Sequence, residues 1–113
     1  MVMDVLDRQA VAVPQVLLDA IVRHYDPIEI ILFGSHARGE AGLDSDWDLL
    51  VVVDDGTPPG KLRLRYAYQA IAGTRIAADV VPVRLSRFRE RSTIVNTLSN
   101  WAAEEGKVVY ARK

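Results

Sequence analysis

A chain of 113 residues, half of them hydrophobic, carries enough apolar surface for a modest core, and one domain spanning 1–113 is the expectation. Its 14 Lys and Arg against 15 Asp and Glu leave a formal charge of -1, so no basic field advertises a long nucleic-acid partner, and any anion must be gripped locally. The absence of cysteine excludes a disulfide framework, a thiolate zinc site and a cysteine nucleophile.

The first dozen residues are weakly patterned and are expected to fray. From Pro14, a favourable first helical residue, Val16, Leu17, Ala20, Ile21 and His24 recur at helical spacing until Asp26-Pro27 stops the run. Ile28 to Phe33 is short, β-branched and almost wholly apolar, which predicts a strand covered on both faces. Gly34 ends it, and a polar stretch with three glycines, Gly34 to Gly42, leads through Asp46-Trp47-Asp48 into a second apolar strand, Leu49 to Val53. After a turn at Asp54-Asp55-Gly56, Thr57 reads as N-cap and Pro58 as first residue of a helix with Leu64, Ala67, Tyr68 and Ile71 on one face and Gly73 as C-cap. Arg75 to Val83 reads as a third strand, with Ala77, Asp79 and Val81 on one face and Ile76, Ala78 and Val80 on the other. Ser86 is placed to cap a short helix through Phe88. Ile94, Leu98, Trp101 and Ala102 mark a further helix ended by Gly106, and Lys107 to Tyr110 form a closing strand. The order α-β-α-β-α-β-α-α-β predicts an α/β protein, or α+β in a looser scheme: a small mixed sheet flanked by helices, with the site at the sheet's edge. The longest apolar run, Leu49 to Val53, is far short of a bilayer span, and the N-terminus lacks the basic-then-apolar order of a signal peptide. No membrane association is expected, and the cytoplasm is the expected compartment.

Chemistry gathers around the second strand. Asp46 and Asp48 are two apart at its mouth, so strand geometry sets both carboxylates on one face. Two such carboxylates repel unless a cation lies between them, and hard oxygen donors suit Mg²⁺ completed by substrate phosphates. Asp79, on an otherwise apolar strand, adds a third carboxylate if its strand lies beside that of Asp48. Two metals about 3.5–4 Å apart then stabilise both the attacking and the leaving oxygen of an in-line phosphoryl displacement. Upstream, Gly34 lets backbone approach a ligand, Ser35 offers a hydroxyl and an amide, and the segment after them can start a helix whose N-terminus attracts phosphate. Arg38, one helical turn on, either contacts the triphosphate or anchors the loop through a carboxylate.

Each piece has a plainer alternative: an edge Asp-x-Asp as a solvated turn, Gly-Ser as ordinary loop, and Asp79 as the partner of an arginine such as Arg84. Taken together, with ten residues separating Ser35 from Asp46, they favour a catalytic site. His36 is expected to face solvent in the loop, outside the catalytic set. The basic-aromatic run Lys61 to Tyr66 reads as a helix with a solvated polar face, and Trp47 and Trp101 read as core.

Gly34-Ser35-His36-Ala37-Arg38-Gly39 followed by Ser45-Asp46-Trp47-Asp48-Leu49-Leu50-Val51 resembles the signature of the DNA polymerase beta nucleotidyltransferase superfamily, in its minimal nucleotidyltransferase (MNT) branch, of which MntA-like antitoxins are members. The resemblance implies that fold, with Gly34 and Ser35 holding nucleotide phosphates, Arg38 as the motif's arginine, Asp46 and Asp48 binding metal, and Asp79 as a third carboxylate that helps activate the attacking hydroxyl. It further implies two Mg²⁺ ions, with Mn²⁺ able to replace them, ATP as the donor, and transfer of AMP to a hydroxyl. Many members of the branch are encoded beside a helical HEPN protein, and some act as antitoxins by adding AMP to a tyrosine of that toxin. The length fits this branch, without the extra domain by which larger relatives bind their acceptors. Two alternatives stand beside the leading reading: a binding module that neutralises its HEPN partner by occupancy, and transfer to a small molecule of the aminoglycoside kind, for which a homo-oligomer or second subunit would have to complete the pocket.

Overall fold

A computed structural model describes residues 13–42, 45–95 and 97–112; the expected fraying of the first dozen residues lies outside them. Among the described residues four strands form one mixed sheet in the order β3-β2-β1-β4: β1 (Glu29–Phe33), β2 (Trp47–Val53), β3 (Ala78–Arg84) and β4 (Lys107–Ala111). β1 runs antiparallel to β2 and to β4, while β2 and β3 are parallel and joined by a crossover that contains a helix. Five α-helices surround the sheet: α1 (Gln15–Tyr25), α2 (Gly34–Arg38), α3 (Leu64–Ile71), α4 (Leu85–Arg91) and α5 (Leu98–Glu105). The α-β-α-β-α-β-α-α-β order is the one expected, and none of these helices is long and apolar enough to cross a membrane.

The continuous apolar runs of β1 and β2 follow from burial on both faces. Alternate residues divide between two cores. Ile30, Leu32, Leu49, Val51, Val53 and Val80 pack with Leu17, Ile21, Ala67 and Ile71 of α1 and α3. Ile31, Leu50 and Val52, with Phe33, Val81 and Val83, pack under Leu85 and Phe88 of α4 and Leu98 and Ala102 of α5. The face assignment for the third strand therefore holds, although that strand begins at Ala78, three residues later than expected. Arg75, at φ 57, is the left-handed residue that turns the chain before it.

Several local expectations are corrected. Pro14 is the N-cap of α1 rather than its first residue, its carbonyl accepting from Leu17 N and Leu18 N. The helix expected from Thr57 is split. Pro59–Leu62 form a 3-10 turn, Arg63 is extended, and α3 starts only at Leu64, with no capping hydrogen bond from Thr57. Gly73 does not cap it; a second 3-10 turn, Ala72–Thr74, follows directly. Ser86 lies inside α4, where its amide donates to Asp55 Oδ1. Lys61 and Tyr66 are structural, both donating to the His24 carbonyl at the end of α1, at 3.1 and 2.8 Å. α5 is capped by Thr97, whose hydroxyl accepts from Asn100 N at 3.0 Å. Gly106 does end that helix, in extended rather than left-handed backbone, and glycine is required there because a Cβ would collide with the Ala102 carbonyl and the Ile31 side chain.

Candidate functional site

Phe33, Asp48 and Asp79 stand side by side across three neighbouring strands: Phe33 is the register partner of Asp48 in β1, and Asp79 its partner in β3. Strand alternation puts Asp48 and Asp79 on the same face as Leu50, Val52 and Val81, the face that carries α4 and α5, and Asp46 lies just before β2. Asp48 is half-buried and the other two are exposed. Burial raises the Asp48 carboxyl above its ordinary range, the negative charges of Asp79 and then Asp46 raise it further, and His36 opposes them. Asp48 and Asp79 are register partners on adjacent parallel strands, which sets the two carboxyls side by side. The described residues hold no group of three His, Cys, Asp or Glu already disposed around one metal position. The charges of Asp46 and Asp79 both act on Asp48. That donor set fits a hard divalent cation, because the repulsion concentrated on Asp48 is what a cation among oxygen ligands relieves.

Gly34 closes the other side of Asp48. It sits at the junction of β1 and α2 with φ +75, and a Cβ on it would run into the Asp48 carboxylate. Only glycine permits both the left-handed turn and this approach of backbone to carboxylate. Ser35 follows as the second residue of α2, half-buried, its carbonyl accepting from Glu40 N at 2.9 Å. Gly39, at φ +74, ends the helix. Arg38 is exposed and held between two carboxylates: its Nε donates to Glu40 at 2.8 Å and its Nη1 lies 3.5 Å from Glu105 of α5. Of the two roles open to it, anchoring through carboxylates is the one seen.

His36 departs from the expectation of a solvent-facing loop residue. Its ring stacks on Trp47, centroids 3.6 Å apart and planes within 11°, and its Nε2 lies 3.0 Å from the Ser45 carbonyl. It thereby ties α2 to the approach of β2 and brings an imidazole near Asp48. Trp47 packs against the α1/α3 core, as expected. Trp101 does not, being 51 % exposed. The pairing of Asp79 with Arg84 is absent: Arg84 instead donates to the carbonyls of Asp55 and Thr57, at 3.0 and 2.9 Å, and Asp79 is left facing the site.

Two cavities meet at Asp48. One, of about 510 Å³, is lined by Phe33, Gly34, Arg38, Asp48, Trp101 and Glu105. The other, of about 280 Å³, runs past the β3 edge between Asp48 and Asp79 and is otherwise apolar, with Leu64, Tyr68, Ile71 and Leu98 among its walls. Trp101, Glu105 and Phe33 were missed as site residues. In the sequence, Trp101 shares the helical spacing of Leu98 and Ala102, and nothing in that spacing distinguishes a wall of a cavity from a core position.

A glycine-backed carboxylate flanked by two more, between a polar cleft and an apolar one, is an arrangement suited to phosphoryl chemistry, and the sequence profile of the nucleotidyltransferase domain matches residues 15–104. The chain belongs to this nucleotidyltransferase family. Its fold is that of solved structures with low sequence identity. A toxin–antitoxin structure with AMP-PNP aligns with TM-score 0.62 at 21% identity, covering 88% of this chain and 73% of that one. A Sulfolobus solfataricus protein described as a candidate nucleotidyltransferase aligns with TM-score 0.55 at 15% identity, covering 97% and 86%. No curated protein matches the nucleotidyltransferase chain.

Proposed function

We propose that this nucleotidyltransferase domain moves AMP from ATP to a hydroxyl of a protein partner, and that the partner is a HEPN-family toxin which the modification silences in the cytoplasm. The observation that carries the transfer reading is the register pairing of Asp48 with Asp79, next to a glycine whose missing Cβ leaves room for the Asp48 carboxylate. In this reading Gly34 and Ser35 hold the triphosphate, and Asp46, Asp48 and Asp79 provide the oxygen ligands for Mg²⁺ or Mn²⁺. Two such ions, when bound, neutralise the phosphates and stabilise the entering and leaving oxygens. Asp79 is exposed on the apolar side of the pair, where an acceptor hydroxyl arrives. It takes the proton as the hydroxyl oxygen bonds to the α-phosphorus, and the bond from that phosphorus to the bridging oxygen breaks to release pyrophosphate. Arg38 keeps α2 and α5 in place around the nucleotide.

The protein acceptor and the antitoxin role rest on the resemblance to the minimal branch and on the toxin–antitoxin neighbour that carries an ATP analogue. The same neighbour gives weight to the binding reading, in which a toxin is neutralised by occupancy alone. Calorimetry on the double variant Asp46→Asn, Asp48→Asn tests the site itself. Mg²⁺ binding should strengthen when nucleotide is present in the unaltered protein, since phosphates complete a shell that carboxylates alone hold weakly, and should be lost in the variant. Metal and ATP affinities equal in the two proteins contradict the assignment.

A further inference from the structure

Trp101 has no role in the chemistry above, yet its position is unusual for a large aromatic, a residue type that is mostly buried. α5 turns Ser99 and Ala102 inward and leaves the indole 51 % exposed over the cavity that also holds Gly34 and Asp48. We propose that Trp101 is the platform on which the base of the bound nucleoside triphosphate stacks. This inference rests on the nucleotidyl-transfer reading, which fixes where the phosphates lie, and adds the residue that holds the other end of the donor.

The two cavities at Asp48 are not equivalent. The Trp101 side, at about 510 Å³, lies within the roughly 300–1,000 Å³ typical of small-molecule sites, is lined by Gly34 and Asp48, to which the proposed function assigns the phosphates and their metal, and has two aromatic walls, Phe33 and Trp101. The Asp79 side is about 280 Å³ and apolar apart from its carboxylates, which suits an acceptor group rather than a polyanion. The Arg38–Glu105 pair, at 3.5 Å, links the helix that begins at Gly34 to the helix that carries Trp101, so phosphate end and base end are held at a set separation. An indole face offers π-overlap and no hydrogen-bond code at its surface, so it accepts any base and favours the larger purine ring. Purine triphosphates are therefore bound more tightly than pyrimidine ones.

The test separates base from phosphate. ATP, CTP and inorganic tripolyphosphate are titrated with Mg²⁺ into the unaltered protein, Trp101→Ala and Trp101→Phe. Trp101→Ala should weaken ATP by roughly 5- to 150-fold, the range that about 1–3 kcal/mol of stacking corresponds to, while tripolyphosphate binding stays unchanged and Trp101→Phe recovers most of the loss. ATP affinity unaltered in Trp101→Ala overturns the proposal and leaves the exposed indole to a protein contact. ATP and tripolyphosphate weakened in parallel overturn it as well, since the indole would then only support α5. If the unaltered protein binds neither ATP nor tripolyphosphate, the nucleotide site itself is wrong, and the base platform falls with it.

Discussion

Gly34 and Gly39 bracket α2 with nearly the same backbone angle, φ +75 and +74, but differ in what surrounds them. A Cβ on Gly39 meets nothing within 4 Å, whereas one on Gly34 meets the Asp48 carboxylate. Gly39→Ala should therefore cost only the left-handed backbone penalty, about 1–2 kcal/mol of stability. Gly34→Ala should cost more and also displace Asp48, with loss of nucleotide binding; chemical denaturation and ATP titration of the two variants side by side check this. The Gly-Ser pair and the aspartates stood out in the sequence because the proposed chemistry demands particular residue types at particular spacings. Asp48 carries a second consequence. Its folded carboxyl is raised above the ordinary 3.8 by burial, Asp79 and Asp46, so as pH climbs past 3.8 the unfolded chain releases this proton before the folded chain does. Stability is lost as pH rises through that window and stays lower beyond it. Asp48→Asn should accordingly melt at a higher temperature than the unaltered protein at neutral pH without divalent cation, and at about the same temperature at acid pH, while added Mg²⁺ should raise the melting temperature of the unaltered protein alone.

At the level of elements, the parallel register of β2 and β3 turns two aspartates 31 positions apart in the chain into neighbours. A continuous apolar run identified β2, and alternation identified β3 and the face that Asp79 shares with Val81, but which strands pair is a tertiary outcome that no local pattern encodes. The misread elements share a cause. Thr57-Pro58 and Gly73 carry the residue types of helix ends, yet Arg84 grips the Thr57 carbonyl and the chain takes 3-10 turns at both ends of α3. Two variants probe this level. Thr97→Ala removes the hydroxyl that caps α5 and should lower stability by about 1 kcal/mol in denaturant titrations. Asp79→Asn keeps the β3 register and should retain most nucleotide binding while transfer falls by a factor of about 10² or more; equal loss of both would make Asp79 structural.

Across the whole molecule, the sheet separates two tasks. The face under α1 and α3 is filled with apolar side chains, and the face under α4 and α5 carries Asp48 and Asp79 at one end of its strands, with Asp46 just before β2. With a net charge of -1, the protein has no broad positive field, so the proposed function requires this local arrangement, with its cations, to hold the polyanionic donor. Asp48 joins the two cavities, which makes it the position where chemistry and occupancy separate most cleanly: Asp48→Asn keeps the shape of the side chain and removes its charge. The most direct measurement is to incubate the unaltered protein and Asp48→Asn with cell extract, Mg²⁺ and ATP labelled at either the α- or the γ-phosphate. The account predicts label on an acceptor from α-labelled ATP only, with pyrophosphate released, and none with Asp48→Asn. Label arriving from the γ-phosphate, or α-label transferred equally by the variant, or none transferred by the unaltered protein although it binds ATP, would contradict it.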